Sequence, residues 1–102
     1  ALAGSGYYAD NHLGAIALSG DGEAIARTIT SSRVLFALER LGPERALAEA
    51  LSRLPHVGGD GGGIAMTPDG DIGWWHNSPH FAVALAKAAD PRGSVWLSKE
   101  EK

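Results

Sequence analysis

The spacing of hydrophobic residues changes along this chain, and each change predicts the boundary of a structural element. Residues 15–18 are a short, continuous apolar run, which is typical of a strand that is covered on both faces. From Glu23 to Leu41 the apolar residues recur at steps of three and four, which predicts one long helix. After residue 60 the apolar positions fall in short runs separated by turn residues, which predicts strands.

The first helix is predicted to end at Gly42 and Pro43, a glycine followed by a residue that cannot continue a helix. A second helix is predicted to begin at Pro43 or Glu44 and to end at Pro55, with its leucines facing inward. Because only a tight turn joins the two helices, we expect them to lie side by side as an antiparallel hairpin.

A glycine-rich segment and a hairpin follow the helices. Five of the six residues at 58–63 are glycine, so this segment is either a flexible linker or a loop that another backbone approaches closely. Ile64–Met66 and Ile72–Trp75 are short apolar runs on either side of a Pro-Asp-Gly turn, which predicts a β-hairpin.

The pattern at residues 81–88 is ambiguous, because alternating large apolar residues indicate a strand while the alanines between them would suit a helix. We favour a strand, since residues 90–93 form a turn after which Val95–Leu97 can pair back onto it. The charged residues 99–102 are expected to fray. Strands and helices are thus segregated along residues 1–102, which predicts the α+β class.

Composition changes this picture little but argues against several classes of protein. The 102 residues carry a net charge of −3, with 44% hydrophobic and 21% charged residues. These values are ordinary for a globular domain and argue against nucleic acid or an anionic membrane as the main partner. The chain has no cysteine and therefore no disulfide or thiol chemistry. No apolar run has the length of a membrane span, and the first four residues lack the features of a signal peptide.

The junction between the first strand and the first helix is the candidate site. Ser19 is the first hydroxyl after the apolar run, and Gly20 and Gly22 allow a sharp turn with exposed backbone N–H groups. Glu23 then suits the first turn of a helix. A hydroxyl and several backbone donors that point at one spot can hold an anion or a developing oxyanion. Many strand-to-helix turns, however, carry Ser and Gly for backbone reasons alone.

The other motifs do not predict a metal or cofactor site. His76 and His80 are four residues apart, but Pro79 lies between them and disfavours the helix that would place both rings on one face. Residues 69–71 resemble a fragment of a calcium loop without its downstream glutamate, so a hairpin turn is the simpler interpretation. No phosphate-loop or dinucleotide fingerprint occurs, and we predict no cofactor. The three tryptophans are interpreted as core or interface residues.

Four segments, in the same order and spacing, resemble a known family. Residues 4–11 (GSGYYADN) look like its G-x-G-x-Y-A-D/N-N segment, and residues 19–23 (SGDGE) look like its T-G-x-G-E turn. Residues 58–65 (GGDGGGIA) and 69–79 (DGDIGWWHNSP) are similar to its later G-G-x-G-G-x-I-A, x-G-N-I-x and N-T-P segments. On these motifs the chain is identified as a member of the plant-type asparaginases, also called isoaspartyl peptidases, which are N-terminal-nucleophile hydrolases.

The resemblance implies a four-layer αββα sandwich, made when a precursor cleaves itself into an α and a β chain. In that family the β chain begins with a nucleophilic threonine, and a G-R-x-G-D segment holds the α-carboxylate and α-amine of the substrate. Residues 1–102 resemble only the later part of the β chain, a single partial domain without either feature, so we expect no activity from them alone. The expected partners are the α subunit of the same precursor and a small-molecule or peptide substrate, in a cytoplasmic dimer of αβ units.

The resemblance also assigns roles within the turn. Ser19 takes the position of a threonine whose hydroxyl donates to the oxyanion. Gly20 donates its N–H to the same oxyanion and offers its carbonyl to the substrate amine, and Gly22 offers its N–H to the α-carboxylate. Serine keeps the hydroxyl but loses the methyl group that stiffens threonine. Asp21 stands where relatives carry a neutral residue or histidine, and it would repel the substrate carboxylate unless it points outward or pairs with a cation.

Three functions follow as alternatives. The first is an isoaspartyl peptidase/L-asparaginase, in which this segment supplies the oxyanion and substrate-binding turn. The second is a related hydrolase that acts on glycosylated asparagine, as a glycosylasparaginase does, or on a protein. The third is a non-catalytic interaction module, in which the glycine-rich loop and the tryptophans form a protein interface.

Overall fold

Two antiparallel sheets and three α-helices form the structure, a computed structural model that describes residues 3–88 and 90–101. In chain order the elements are β1 (Tyr7–Asp10), β2 (Gly14–Gly20), α1 (Gly22–Thr28), α2 (Thr30–Leu41), α3 (Pro43–Leu51), β3 (Gly61–Met66), β4 (Ile72–His76), β5 (Val83–Lys87) and β6 (Asp90–Trp96), with 3₁₀ turns at Leu54–Val57 and Lys99–Glu101. This grouping of helices between strands confirms the predicted α+β class.

Strands β1 to β4 form one sheet in the order β1-β2-β3-β4, in which all neighbours are antiparallel. One face of this sheet packs against α2 and α3. Ile16 of β2 and its cross-strand partner Ala65 of β3 are both buried in that interface. The core formed there includes Ile16, Ala24, Ile25, Val34, Leu35, Leu38, Ala46, Leu47, Ala50, Leu51, Leu54 and Ala65.

The opposite face of the sheet, called the open face below, is apolar but only partly covered. Tyr7, Ile64 and Met66 lie on it and are 47%, 45% and 43% exposed. The β5–β6 hairpin covers one end, where the rings of Trp74 and Trp96 lie 5.5 Å apart. An apolar cavity of about 320 Å³ remains between this hairpin and the sheet.

Within this chain, residues 15–18 are covered on the helix side only, so the expectation of a strand covered on both faces is met on one face. Ile16 is buried against the helices, whereas Ala17 points to the other side of the sheet and is exposed. Both sides of the strand are nevertheless apolar, which is why the sequence shows an unbroken apolar run. One helical layer on one sheet is what a fragment of an αββα sandwich contains.

The predicted helix 23–41 is broken at Ile29 into α1 and α2, which corrects the prediction of one long helix. Ile29 has φ 49° and ψ 50°, a left-handed conformation at which the chain changes direction. The hydroxyl oxygens of Thr28 and Thr30 lie 2.5 Å apart, so one hydroxyl donates to the other, and the Thr30 hydroxyl reaches the carbonyl oxygen of Ile25 at 3.2 Å. The two threonines thus satisfy a buried carbonyl at the end of α1, which explains poor helix formers at this point.

The start of α2 is bonded to the loop that precedes β1. The backbone N–H groups of Ser31 and Ser32 donate to the carbonyl oxygens of Ser5 and Gly4 at 2.9 and 3.1 Å. These bonds satisfy N–H groups that have no partner within the helix, and they hold the loop against α2. The two glycines and the Asp-Asn pair in residues 4–11 would predict a loop over the whole segment, but Tyr7–Asp10 form β1.

Most of the other predicted boundaries are confirmed. Helix α2 ends at Leu41, Gly42 follows it with a φ of 81°, and α3 begins at Pro43. Helix α3 ends at Leu51 rather than at Pro55, since the chain continues as a 3₁₀ turn. The predicted hairpins are β3–β4 and β5–β6, so the ambiguous alanine-rich segment is a strand. The turn predicted at residues 90–93 is wrong, because these residues belong to β6.

Gly73 lies where β4 meets the start of α3. A Cβ built on Gly73 would lie 2.5 Å from the backbone nitrogen of Glu44 and 3.0 Å from the Cβ of Pro43. Because α3 would have to move away from β4, we expect Gly73→Ala to lower the free energy of unfolding by about 1–3 kcal/mol. Denaturant unfolding measures this change, and an unchanged midpoint would contradict a requirement for glycine at this contact.

Candidate active site

The candidate site lies where β2 ends and α1 begins. Gly20 is the last residue of β2, with a φ of 144°, and Gly22 is the first residue of α1. Asp21 lies between them and caps the helix, because its Oδ1 accepts a hydrogen bond from the N–H of Ala24 at 3.2 Å. The Asp21 carboxylate is therefore directed at the first turn of α1.

A close approach of two backbones fixes this turn. Gly20 pairs with Gly61 of β3, and a Cβ on Gly20 would lie 2.5 Å from both the carbonyl oxygen of Asp60 and the Cα of Gly61. The N–H of Asp21 donates to the same Asp60 oxygen at 3.0 Å. Of the two interpretations of the glycine-rich segment 58–63, these contacts support the close approach of another backbone, although residues 61–63 form the start of β3 rather than a loop.

The direction of the Gly20 N–H follows from the strand pattern. On the β1 side of β2, the N–H of Leu18 donates to the carbonyl oxygen of Gly6 at 2.9 Å. N–H groups two residues apart in a strand point the same way, so the Gly20 N–H lies on the same side as that of Leu18. On that side lies a cleft of about 300 Å³.

Three of the four predicted site residues line this cleft. Its walls are formed by Ser5, Gly6, Leu18, Ser19, Gly20, Gly22, Ile25 and Ala26. Ser19 is exposed. Asp21 does not line the cleft, which agrees with its role as the cap of α1. The structure thus brings Ser19, Gly20 and Gly22 together and leaves Asp21 outside.

Asn77 holds the start of β3 next to the turn, and this role was not predicted from the sequence. Its Oδ1 accepts the N–H of Gly61 at 2.8 Å, and its Nδ2 donates to the carbonyl oxygen of Leu51 at 2.8 Å. Its own N–H donates to the carbonyl oxygen of Gly61 at 2.9 Å. One residue therefore joins the start of β3 to the end of α3. In the sequence, an amide side chain directly after a strand indicates only a turn, and it does not reveal the hydrogen bonds of Asn77 to Gly61 and Leu51.

His76 is a buried structural residue. It is 1% exposed, and its ring stacks against those of Trp74 and Phe81. Its Nε2 accepts the N–H of Lys99 at 2.8 Å, and its Nδ1 lies 2.8 Å from the carbonyl oxygen of Ser78. Because Nε2 accepts, the proton of the neutral ring is on Nδ1 and is donated to Ser78. Both ring nitrogens are thus used within the protein.

Lys99 is bonded to this histidine and residues 99–101 form a 3₁₀ turn, which corrects the prediction of fraying for these three residues. The Lys99 ammonium donates to the carbonyl oxygen of His76 at 2.6 Å. The pKa of the exposed Glu100 carboxyl is lowered, mainly by a hydrogen bond from its own backbone N–H. Lys102 lies outside the described residues.

The remaining motifs are structural in the part of the chain that the structure describes. Residues 69–71 belong to the tight turn of the β3–β4 hairpin, in which the N–H of Gly70 donates to the carbonyl oxygen of Thr67 at 3.0 Å. Within residues 3–88 and 90–101, no three His, Cys, Asp or Glu residues come together where they could hold a metal ion. None of the helices described is long and apolar enough to span a membrane.

Comparisons with known proteins agree with the sequence motifs. Residues 1–94 match the family model described as asparaginase. A probable isoaspartyl peptidase/L-asparaginase of Drosophila pseudoobscura pseudoobscura is 37% identical over 84 residues, which are 79% of this chain and 26% of that protein. An isoaspartyl peptidase/L-asparaginase of Xenopus laevis is 40% identical over 73 residues, 70% of this chain and 24% of that protein. An isoaspartyl peptidase of Salmonella typhimurium is 34% identical over 94 residues, 87% of this chain and 29% of that protein. The chain therefore spans about a quarter of the length of these curated relatives.

Proposed function

Because this chain belongs to the asparaginase family, we propose that it is part of the β subunit of an isoaspartyl peptidase/L-asparaginase that hydrolyses β-aspartyl peptides and asparagine. The observation that carries the proposal is the cleft at the end of β2, which Ser19, Gly20 and Gly22 line together. These are the three positions to which the family resemblance assigns hydrogen-bond donors for the oxyanion and the substrate.

In the proposed reaction, a nucleophilic threonine elsewhere in the gene product attacks the amide carbonyl carbon of the substrate, and the carbonyl oxygen becomes negatively charged. The Ser19 hydroxyl and the Gly20 N–H donate hydrogen bonds to this oxygen. Because β3 holds the turn in place before the substrate binds, little reorganisation is needed as the charge develops. The proton of the threonine hydroxyl passes to the free amine of that threonine and from there to the leaving nitrogen. Collapse of the tetrahedral intermediate breaks the C–N bond, expels the amine or ammonia and leaves an acyl-enzyme, which water then hydrolyses to release the acid and restore the threonine.

The substrate's α-carboxylate is proposed to bind the N–H of Gly22, and its α-amine the carbonyl of Gly20. Both residues line the cleft, which supports these roles. The Asp21 carboxylate accepts its hydrogen bond from Ala24, outside the cleft. The repulsion expected between Asp21 and an anionic substrate is therefore reduced, because the side chain is turned towards the helix.

We further propose that the α subunit of the same precursor completes the sandwich by covering the open face. Tyr7, Ile64 and Met66 are large, exposed hydrophobic residues on that face, and a contiguous apolar surface of this kind is typical of an interface. A second sheet packed at the usual spacing of about 10 Å would bury it. The dimer of αβ units is proposed on the family resemblance alone.

Two measurements on the full-length gene product test the proposed function. Intact-mass spectrometry under denaturing conditions should show two chains, of which the one containing this sequence begins with threonine. Rates measured side by side on β-aspartyl dipeptides, asparagine and glycoasparagine should be highest for the first two. A preference for glycoasparagine would support the second alternative, and a single unprocessed chain without activity would support an interaction module.

A further inference from the structure

We infer that Asn77 is a positioning residue, which fixes the turn at Ser19–Gly22 through the start of β3 and so controls the turnover of the hydrolase proposed above. The inference rests on that proposed function. Asn77 is half-buried and does not line the cleft, so it acts through other residues.

Consecutive backbone contacts connect Asn77 to the turn. Asn77 accepts the N–H of Gly61 at 2.8 Å and donates its own N–H to the Gly61 carbonyl oxygen at 2.9 Å. Gly61 pairs with Gly20, and the two backbones leave no room for a Cβ on Gly20. The preceding residue, Asp60, accepts the N–H of Asp21 at 3.0 Å. A displacement of Gly61 therefore displaces both contacts that support the turn.

The amide nitrogen of Asn77 attaches this side chain to the hydrophobic core. Asn77 Nδ2 donates at 2.8 Å to the carbonyl oxygen of Leu51, the last residue of α3, which is fully buried. Carbonyl groups in the last turn of a helix lack partners within the helix, so this bond satisfies one of them.

The chemistry of the amide makes asparagine specific at this position. Its oxygen binds a donor while its nitrogen binds an acceptor, so aspartate can replace the first bond but not the second. Residues 61–63 are all glycine, and they have no side chains of their own with which to fix the start of β3. We therefore expect the position of this strand end to depend on Asn77.

The test compares Asn77→Ala and Asn77→Asp with Leu51→Ala in the full-length protein. Leu51→Ala is the matched control, since it removes a buried side chain from the same helix end but keeps the carbonyl group that Asn77 binds. At a temperature below all melting temperatures, we expect Asn77→Ala to lower kcat about 10- to 100-fold while KM changes less than about twofold. Asn77→Asp keeps the acceptor for Gly61 and should fall between Asn77→Ala and wild type. Leu51→Ala should keep the wild-type kcat.

Amide hydrogen exchange gives a second readout that needs no activity. Asn77→Ala should raise exchange at the Asp21 amide more than at the Ala17 amide of β2, and Leu51→Ala should not. Equal increases at both sites, or the same fall in kcat for Leu51→Ala, would overturn the inference and leave the proposed function standing. A wild-type protein without hydrolytic activity would overturn the proposed function and with it the control of turnover, and the exchange comparison would then decide only whether Asn77 fixes the turn. If Asn77→Ala does not fold, Asn77→Asp takes its place in both measurements.

Discussion

Replacing Ser19 with alanine in the full-length protein is expected to lower kcat for β-aspartyl dipeptides about a hundredfold or more, the usual effect of losing one oxyanion donor. Ser19 is exposed at the end of β2 and lines the cleft, so its replacement leaves no cavity in the core. The melting temperature should therefore change little. Steady-state kinetics and thermal unfolding of the same preparation measure the two effects separately.

Ser19→Thr is the matched control for this experiment. Threonine keeps the hydroxyl and has a methyl group that restricts its rotamers, so turnover should stay close to that of wild type. If Ser19→Ala retains full turnover, the hydroxyl is not an oxyanion donor. If Ser19→Ala loses its turnover together with its fold, the serine is a structural residue and the cleft has another function.

Gly20→Ala is expected to lower both stability and activity. Gly20 has a φ of 144°, which residues with a side chain rarely adopt, and an added Cβ would lie 2.5 Å from the Asp60 carbonyl oxygen and the Gly61 Cα. Since these atoms all belong to backbones, β2 and β3 would have to separate. Backbone strain and overpacking each cost about 1–3 kcal/mol. Turnover should be lost as well, because the N–H at position 20 would leave the oxyanion site.

Gly22→Ala is the control for the loss of a glycine from the same turn. No heavy atom that the structure describes lies within 4 Å of a Cβ built on Gly22, beyond its own chain neighbours. Alanine also favours a helix over glycine by about 1 kcal/mol, so the free energy of unfolding should stay constant or rise. Denaturant unfolding of wild type and both variants makes the comparison. Equal destabilisation by the two substitutions would show that the approach of β3 is not what requires glycine at position 20.

The elements that depend on local backbone properties are those that the sequence predicts well. Gly42 and Pro43 end one helix and begin the next, because glycine adopts a positive φ and proline suits a first helical turn. The break at Ile29 is not visible in the sequence, since the helical spacing of apolar residues continues through it. It is stabilised instead by hydrogen bonds of Thr28 and Thr30 that form only in the folded chain. Strand β1 is not visible in the sequence either, because its pairing with β2 defines it.

Part of the candidate site could likewise be predicted from neighbouring residues in the sequence, and part could not. Ser19, Gly20 and Gly22 can be grouped from the sequence because they are neighbours along the chain. The direction of Asp21 cannot, since the sequence permits either orientation and a capping bond to α1 decides between them. Asn77 is distant along the chain and reaches the turn only through Gly61, so no local pattern could identify its contact with the site.

The glycines at the start of β3 make the alignment of the two central strands depend on residues outside the site. The first three residues of β3 are glycines, and they pair with the last three residues of β2. Without side chains, they cannot distinguish one pairing partner from the next. The correct alignment must be selected at the apolar half, where Ile16 pairs with Ala65 and enters the core. A slip by one residue would turn Ile16 to the opposite face of the sheet. A core substitution at Ile16 or Ala65 can therefore misplace the hydrogen-bond donors of the cleft without contacting any of them.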